Sequence, residues 1–68
     1  MQFILNNRPE TIEDREQLTV RQLLDHKNYT FKFLAVRVNN EPVKTDEYEN
    51  KVIRDGDKVI VHHLISGG

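Results

Sequence analysis

Apolar and polar residues alternate near both ends of the chain and fall at helical spacing close to its middle. "QFIL" opens as a strand, and "NNRPE" supplies turn residues that fold it back. "TIEDRE" offers a weaker, partly alternating return strand. In "LTVRQLLDHK", Thr19 precedes Gln22 by three residues, a capping-box spacing, with Leu18 and Leu23 at the staple positions. Val20, Leu23 and Leu24 then draw one apolar stripe, so the spacing predicts a helix over residues 20–28.

"NYTFKF" is a connection without a strong pattern. "LAVRVNN" alternates strictly, with Leu34, Val36 and Val38 facing one way and Ala35 and Arg37 the other. "NNEP" reads as a turn and "YENKV" as one loose helical turn. "DGD" at Asp55–Asp57 is a tight turn before the last strand. There Val59 and Val61 share one face, and Ile60, His62 and Leu64 the other.

Two strands, a helix and further strands give an α+β chain, one main helix covering one face of a mixed sheet. The first and last strands sit side by side at its centre, with Phe3, Leu5, Val59 and Val61 toward the helix. The opposite face then presents Ile4, Ala35, Arg37, Ile60, His62 and Leu64 to water. A half-apolar face of that kind marks a partner surface.

At 68 residues the chain makes one domain. Such a length buries only about 60% of the surface of its unfolded form. The fold is assigned to residues 1–64 and a flexible tail to 65–68. No cysteine is present, which removes disulfides, thiolate nucleophiles and zinc–sulfur sites. A formal net charge of −1 with interspersed signs lacks the basic stripe that nucleic acid requires. No apolar run approaches the roughly 18 residues of a membrane span, and "MQFILNN" does not open as a signal peptide. The expected setting is the cytoplasm, with neither nucleic acid nor membrane as partner and the free chain a monomer.

Little catalytic chemistry is visible. Gly56 is the one glycine outside the terminal pair, so neither phosphate-loop pattern fits. His62 and His63 are adjacent on a strand, point to opposite faces and cannot grip one metal; they read as a solvated pair. His26 stands alone on the helix. The acids of "DREQ" and "TDEYEN" are solvated loop charges, because paired-carboxylate chemistry needs a cleft. The chain reads as a non-enzyme that binds no cofactor or metal of its own.

The end reads "HLISGG". Two glycines in the last two places arise by chance about once in two hundred chains at average usage. Their bland reading is a frayed tail. Their functional reading is a stub without side chains that threads a narrow channel and allows close approach. Residues Ile65, Ser66, Gly67 and Gly68 span about 14 Å when extended. A terminal carboxylate is an anion at neutral pH and a poor electrophile, so an external ATP-using enzyme would have to activate it.

Taken together, "MQFILNN", "TVRQLL", "AVRVNNEPV" and "VIRDGDKVIVHHLISGG" resemble the ubiquitin-like sulfur carriers of the ThiS/MoaD family, on the thiamine side of it. The resemblance runs the whole length. It implies a β-grasp fold and a Gly68 carboxylate adenylated by a ThiF-like enzyme with ATP and magnesium. A sulfur donor, a cysteine desulfurase or related sulfurtransferase, then forms a thiocarboxylate that thiazole synthase consumes. Gly67, Ser66 and Ile65 would thread the partner's active site. Tyr48 stands where these carriers often have tryptophan. The alternatives are the carrier of molybdenum-cofactor synthesis, a ubiquitin-like modifier of lysines, and a non-covalent interaction module.

Overall fold

The computed structural model describes residues 1–29 and 33–64. In chain order it contains β1 (Gln2–Leu5), β2 (Arg8–Thr11), β3 (Gln17–Thr19) and helix α1 (Val20–His26). These are followed by β4 (Leu34–Val38), β5 (Glu41–Val43), a 3-10 turn (Thr45–Glu47), β6 (Val52–Arg54) and β7 (Lys58–His63). Five strands form a mixed sheet in the order β2-β1-β7-β4-β5, and β3 pairs with β6 in a separate ribbon. This is the β-grasp arrangement, with the first and last strands parallel neighbours at the centre.

The hairpins β1–β2 and β4–β5 both turn on an Asn–Asn pair. Asn6, Asn7, Asn39 and Asn40 have φ of 51°, 67°, 51° and 70°, and the flanking partners are Leu5 with Arg8 and Val38 with Glu41. Asparagine tolerates the left-handed region, and two such residues make a turn whose twist matches that of the strands. The turns are therefore shorter than the sequence suggested. Arg8–Thr11 and Glu41–Val43 already belong to return strands, and "TIEDRE" contributes only Thr11 to β2.

Each return strand contains a proline, and its placement is specific. Ile12 N donates to Met1 O at 2.9 Å, whereas Ile4 N donates to Asp57 O at 2.9 Å. Even-numbered residues of β1 thus address β7, so Ile4 and Pro9 form a pair without mutual hydrogen bonds and the Pro9 nitrogen points off the sheet. On the other side, Leu64 N donates to Phe33 O at 2.9 Å and Asn39 N to Lys58 O at 2.7 Å. Odd residues of β4 therefore address β7, and Pro42, opposite Arg37, also turns its nitrogen outward. Proline is tolerated in a sheet only where no ladder bond is lost. Here both outer edges lack a donor at that position, which blunts them against pairing with another chain.

Helix α1 starts as expected: Gln22 N donates to Thr19 Oγ1 at 3.1 Å and Thr19 N to Gln22 Oε1 at 2.9 Å. Leu18 and Leu23, the staple residues, are both buried. The helix ends at His26, two residues short of the expected 28. Lys27 caps it and Asn28 takes φ 58°, the left-handed conformation that closes helices. Val20, Leu23 and Leu24 join Phe3, Leu5, Val36, Val38, Val59 and Val61 in one core.

The loose turn expected at 48–52 is present, closed by Lys51 N donating to Glu47 O at 2.8 Å, and it continues a 3-10 turn at Thr45–Glu47, where Lys44 N donates to Glu47 Oε1 at 2.8 Å. Tyr48 then turns inward and is 4% exposed. Arg21 lies 5.7 Å over its ring. Its backbone N–H also donates to Tyr48 O at 2.9 Å. The β3–β6 ribbon sets Leu18 opposite Ile53, both buried.

The central parallel pairing is short, Ile4 with Lys58 and Leu5 with Val59, and turns clamp both of its ends. At one end Gly56, at φ 85°, donates its N–H to Gln2 O at 2.7 Å, and Gln2 N donates to Asp55 Oδ1 at 2.7 Å. At the other, Asn6 N donates to Val59 O at 2.9 Å and Val61 N to Asn6 Oδ1 at 2.8 Å. The Asn6 side chain thereby carries the ladder one step past the end of β1.

Two outcomes follow from this geometry. Asn6→Gly keeps the left-handed backbone but removes the bond to Val61, and is expected to destabilise the chain by about 1 kcal/mol in denaturant unfolding. Asn6→Ala adds backbone strain and is expected to cost about 1 kcal/mol more; equal midpoints for both variants would contradict the role given to the side chain. Replacing Pro9 and Pro42 together by threonine restores both outward donors. Analytical ultracentrifugation is expected to show concentration-dependent self-association of the double variant beyond that of the parent.

Candidate functional site

Registers across the sheet assign each side chain to one of two faces. On the face away from the helix stand Gln2 and Ile4 of β1 and Pro9 and Thr11 of β2. Ile60 and His62 of β7 lie opposite Arg37 and Ala35 of β4, and Pro42 of β5 lies opposite Arg37. Lys58 pairs with Ile4 and completes the strand positions of this outer face. The structure thus brings together the residues singled out in sequence: Ile4, Ala35, Arg37, Ile60 and His62 share one side, with Leu64 at its end.

Among the described residues, the large hydrophobic side chains left exposed are Ile4 at 36%, Phe33 at 52% and Leu64 at 52%. The bond from Leu64 N to Phe33 O extends the β4–β7 ladder by one residue and sets these two opposite each other. Phe33 is a member of the face that sequence reasoning missed, because "NYTFKF" shows no alternation of its own. Extending the strict pattern of "LAVRV" one residue backward would have found it.

His62 and His63 separate as expected, His62 opposite Ala35 on the outer face and His63 opposite Leu34 on the helix side. His26 is exposed beside a shallow hollow formed with Ile12, Arg15, Leu18, Gln22 and Asp25. Glu10 is held by Lys27 at 3.2 Å rather than by a second carboxylate. Among the described residues no polar or charged side chain is buried, and no group of three or more His, Asp or Glu could hold a metal ion. No helix among them is long and apolar enough to cross a membrane. Ile65, Ser66, Gly67 and Gly68 lie outside the described residues, while β7, the strand leading to them, is central in the sheet.

The sequence model of the ThiS family matches residues 3–68. The chain is similar to the crystal structure of the thiamine biosynthesis protein ThiS from Geobacter metallireducens. That likeness has a TM-score of 0.90 and 26% identity and covers 100% of both chains. A solution structure of a thiamine biosynthesis protein from the same organism superimposes with a TM-score of 0.80 at 26% identity, covering 100% of this chain and 88% of that one. No curated protein matches in sequence. With the family model running from the first strand through both glycines, and the same sheet order built from these residues, the chain belongs to the ThiS family.

Proposed function

We propose that this chain is the sulfur carrier of thiamine biosynthesis and is itself a substrate rather than an enzyme. The observation that carries the proposal is the union of an exposed apolar face with the strand that leads straight to the diglycine. A family match extending through Gly68 supports it, as does the likeness to proteins of thiamine biosynthesis, which favours that pathway over molybdenum-cofactor synthesis.

In this reading the face of Ile4, Ala35, Arg37, Ile60, His62 and Leu64 docks on a ThiF-like adenylating enzyme. The docked domain aims Ile65, Ser66 and Gly67 into the enzyme's channel. The Gly68 carboxylate attacks the α-phosphorus of ATP, held there with magnesium, and pyrophosphate leaves. The carboxylate oxygen is then part of a good leaving group. The terminal sulfur of a persulfide carried by a cysteine desulfurase or related sulfurtransferase attacks the carbonyl carbon and AMP departs; a second thiol then attacks the donor's sulfur in the resulting acyl disulfide, forming a disulfide with it and releasing the thiocarboxylate. Thiazole synthase takes the sulfur from it. Glycine at the last two positions allows the reacting carbonyl to be approached from either side, which any Cβ would restrict.

The domain supplies binding energy and orientation to a reaction whose catalytic groups belong to other proteins. Holding the tail in a near-attack geometry is worth several powers of ten in rate.

Intact-mass analysis of the chain from thiamine-starved cells is expected to show one oxygen replaced by sulfur at the C-terminus. Lysine-linked adducts on other proteins would instead indicate a modifier. Deleting Gly68 is expected to leave the thermal midpoint unchanged while abolishing ATP–pyrophosphate exchange with the adenylating enzyme. Exchange at the parent rate would refute the assignment of Gly68.

A further inference from the structure

The outer face differs in charge from the rest of the chain. Its strand positions include Arg37 and Lys58 but no Asp or Glu, in a chain with 11 acids and 10 Lys and Arg. Across the β4–β7 pair Arg37 faces Ile60, and Lys58 lies two residues further along the same strand. Such a diagonal neighbour is about 7–8 Å away, close enough for like charges to repel.

Neither cation forms an ion pair among the described residues. The ion pairs among the described residues are Arg21 with Asp25 and Lys27 with Glu10, both elsewhere. Arg37 makes a single hydrogen bond, from Nη1 to Asn40 O at 3.3 Å. Nearby Asp57 is already engaged, its carboxylate accepting from Asn39 Nδ2 at 3.1 Å and Arg54 N at 2.9 Å. Asp55 accepts from Gln2 N. Asp55 and Asp57 thus close the turn before β7, while Arg37 and Lys58, beside Ile60, face outward.

Resting on the carrier reading above, we infer that the docking partner presents an acidic patch aligned with Arg37 and Lys58 and, about 13–20 Å along the same strands, an apolar pocket that receives Phe33 and Leu64 at the other end of the β4–β7 pair. The two parts do different work. Opposite charges steer encounter and set register, so they act chiefly on the association rate and fade with salt. Phe33 and Leu64 stand opposite each other at the end of the sheet, each half exposed. Their burial contributes a salt-independent affinity and fixes the position from which the tail starts. Aromatic anchors of this kind carry a large share of interface energy.

The test measures pyrophosphate exchange by the cell's own ThiF-type enzyme against carrier concentration, at about 0.05 and 0.5 M salt. Arg37→Glu and Lys58→Glu are each expected to raise KM roughly tenfold at low salt, with kcat unchanged and the difference shrinking at high salt. Arg15→Glu makes the same charge change on an exposed loop away from this face and is expected to leave KM as in the parent. Phe33→Ala is expected to raise KM roughly tenfold at both salt concentrations. Arg37 and Lys58 variants that behave like Arg15→Glu, or a Phe33→Ala effect that vanishes with salt, would overturn this inference and leave the carrier reading standing. Absence of exchange with the unaltered chain at any concentration would remove both.

Discussion

Strands β1 and β7 come from opposite ends of the chain and meet in the middle of the sheet, in parallel, over the pairs Ile4–Lys58 and Leu5–Val59. Closing a loop of that length costs conformational entropy before any contact offsets it. So short a ladder would be a weak clasp alone. The turns at its two ends lengthen it: Gly56 and Asp55 grip Gln2, and Asn6 grips Val59 and Val61. If that contact were lost, the β1–β2 hairpin would separate from β7–β4–β5 and leave Phe3 and Leu5 without a cover.

Because β7 is flanked by β1 on one side and β4 on the other, it is a restrained strand almost to its end. Its pairing with β4 persists to His63 opposite Leu34, and Leu64 still bonds to Phe33. Leu64 therefore has a defined place, opposite Phe33. One short helix covers the other face with Val20, Leu23 and Leu24, and its seven residues cannot cover both faces. The uncovered face is a consequence of the economy of the fold, and its apolar content is what makes it available to a partner.

The elements with strong local periodicity were legible in the sequence. Thr19 and Gln22 announce the start of the helix, and the alternation of "LAVRV" and "KVIVHH" assigns their faces correctly. Less was legible where the determining interaction is distant or the element is short. Strands β3 and β6 have three residues each, below the length at which alternation is distinguishable from chance, and only the pairing of Leu18 with Ile53 defines them. Pro9 and Pro42 read as turn residues, since the direction of a proline nitrogen depends on a register the sequence does not display. Nothing in the local pattern marks Tyr48 as buried, yet it packs against the helix start because Thr45–Glu47 turns just before it. Phe33 ends a stretch without a strong pattern, and its place on the outer face follows from extending the alternation of "LAVRV" one residue backward, as its bond to Leu64 shows.

The register that packs the core is the same register that builds the docking face. Side chains alternate along β7, so Val59 and Val61 point inward only while Lys58, Ile60 and His62 point outward. A slip of one residue would exchange the two sets, placing a lysine in the core and two valines in water. The energy of burying Val59 and Val61, which are 0% and 8% exposed, thus enforces the pattern of Lys58, Ile60 and His62 on the other side. The link is asymmetric. Changes to Arg37, Lys58 or Phe33 alter the outer surface without touching the core. Changes to the inner valines, or to the Asn6 and Asp55 clasps, disturb the register and with it both the surface and the origin of the tail. A loss of function caused by a core substitution in this chain is therefore no evidence that the substituted residue meets a partner, whereas a loss caused by an outer-face substitution with unchanged stability is.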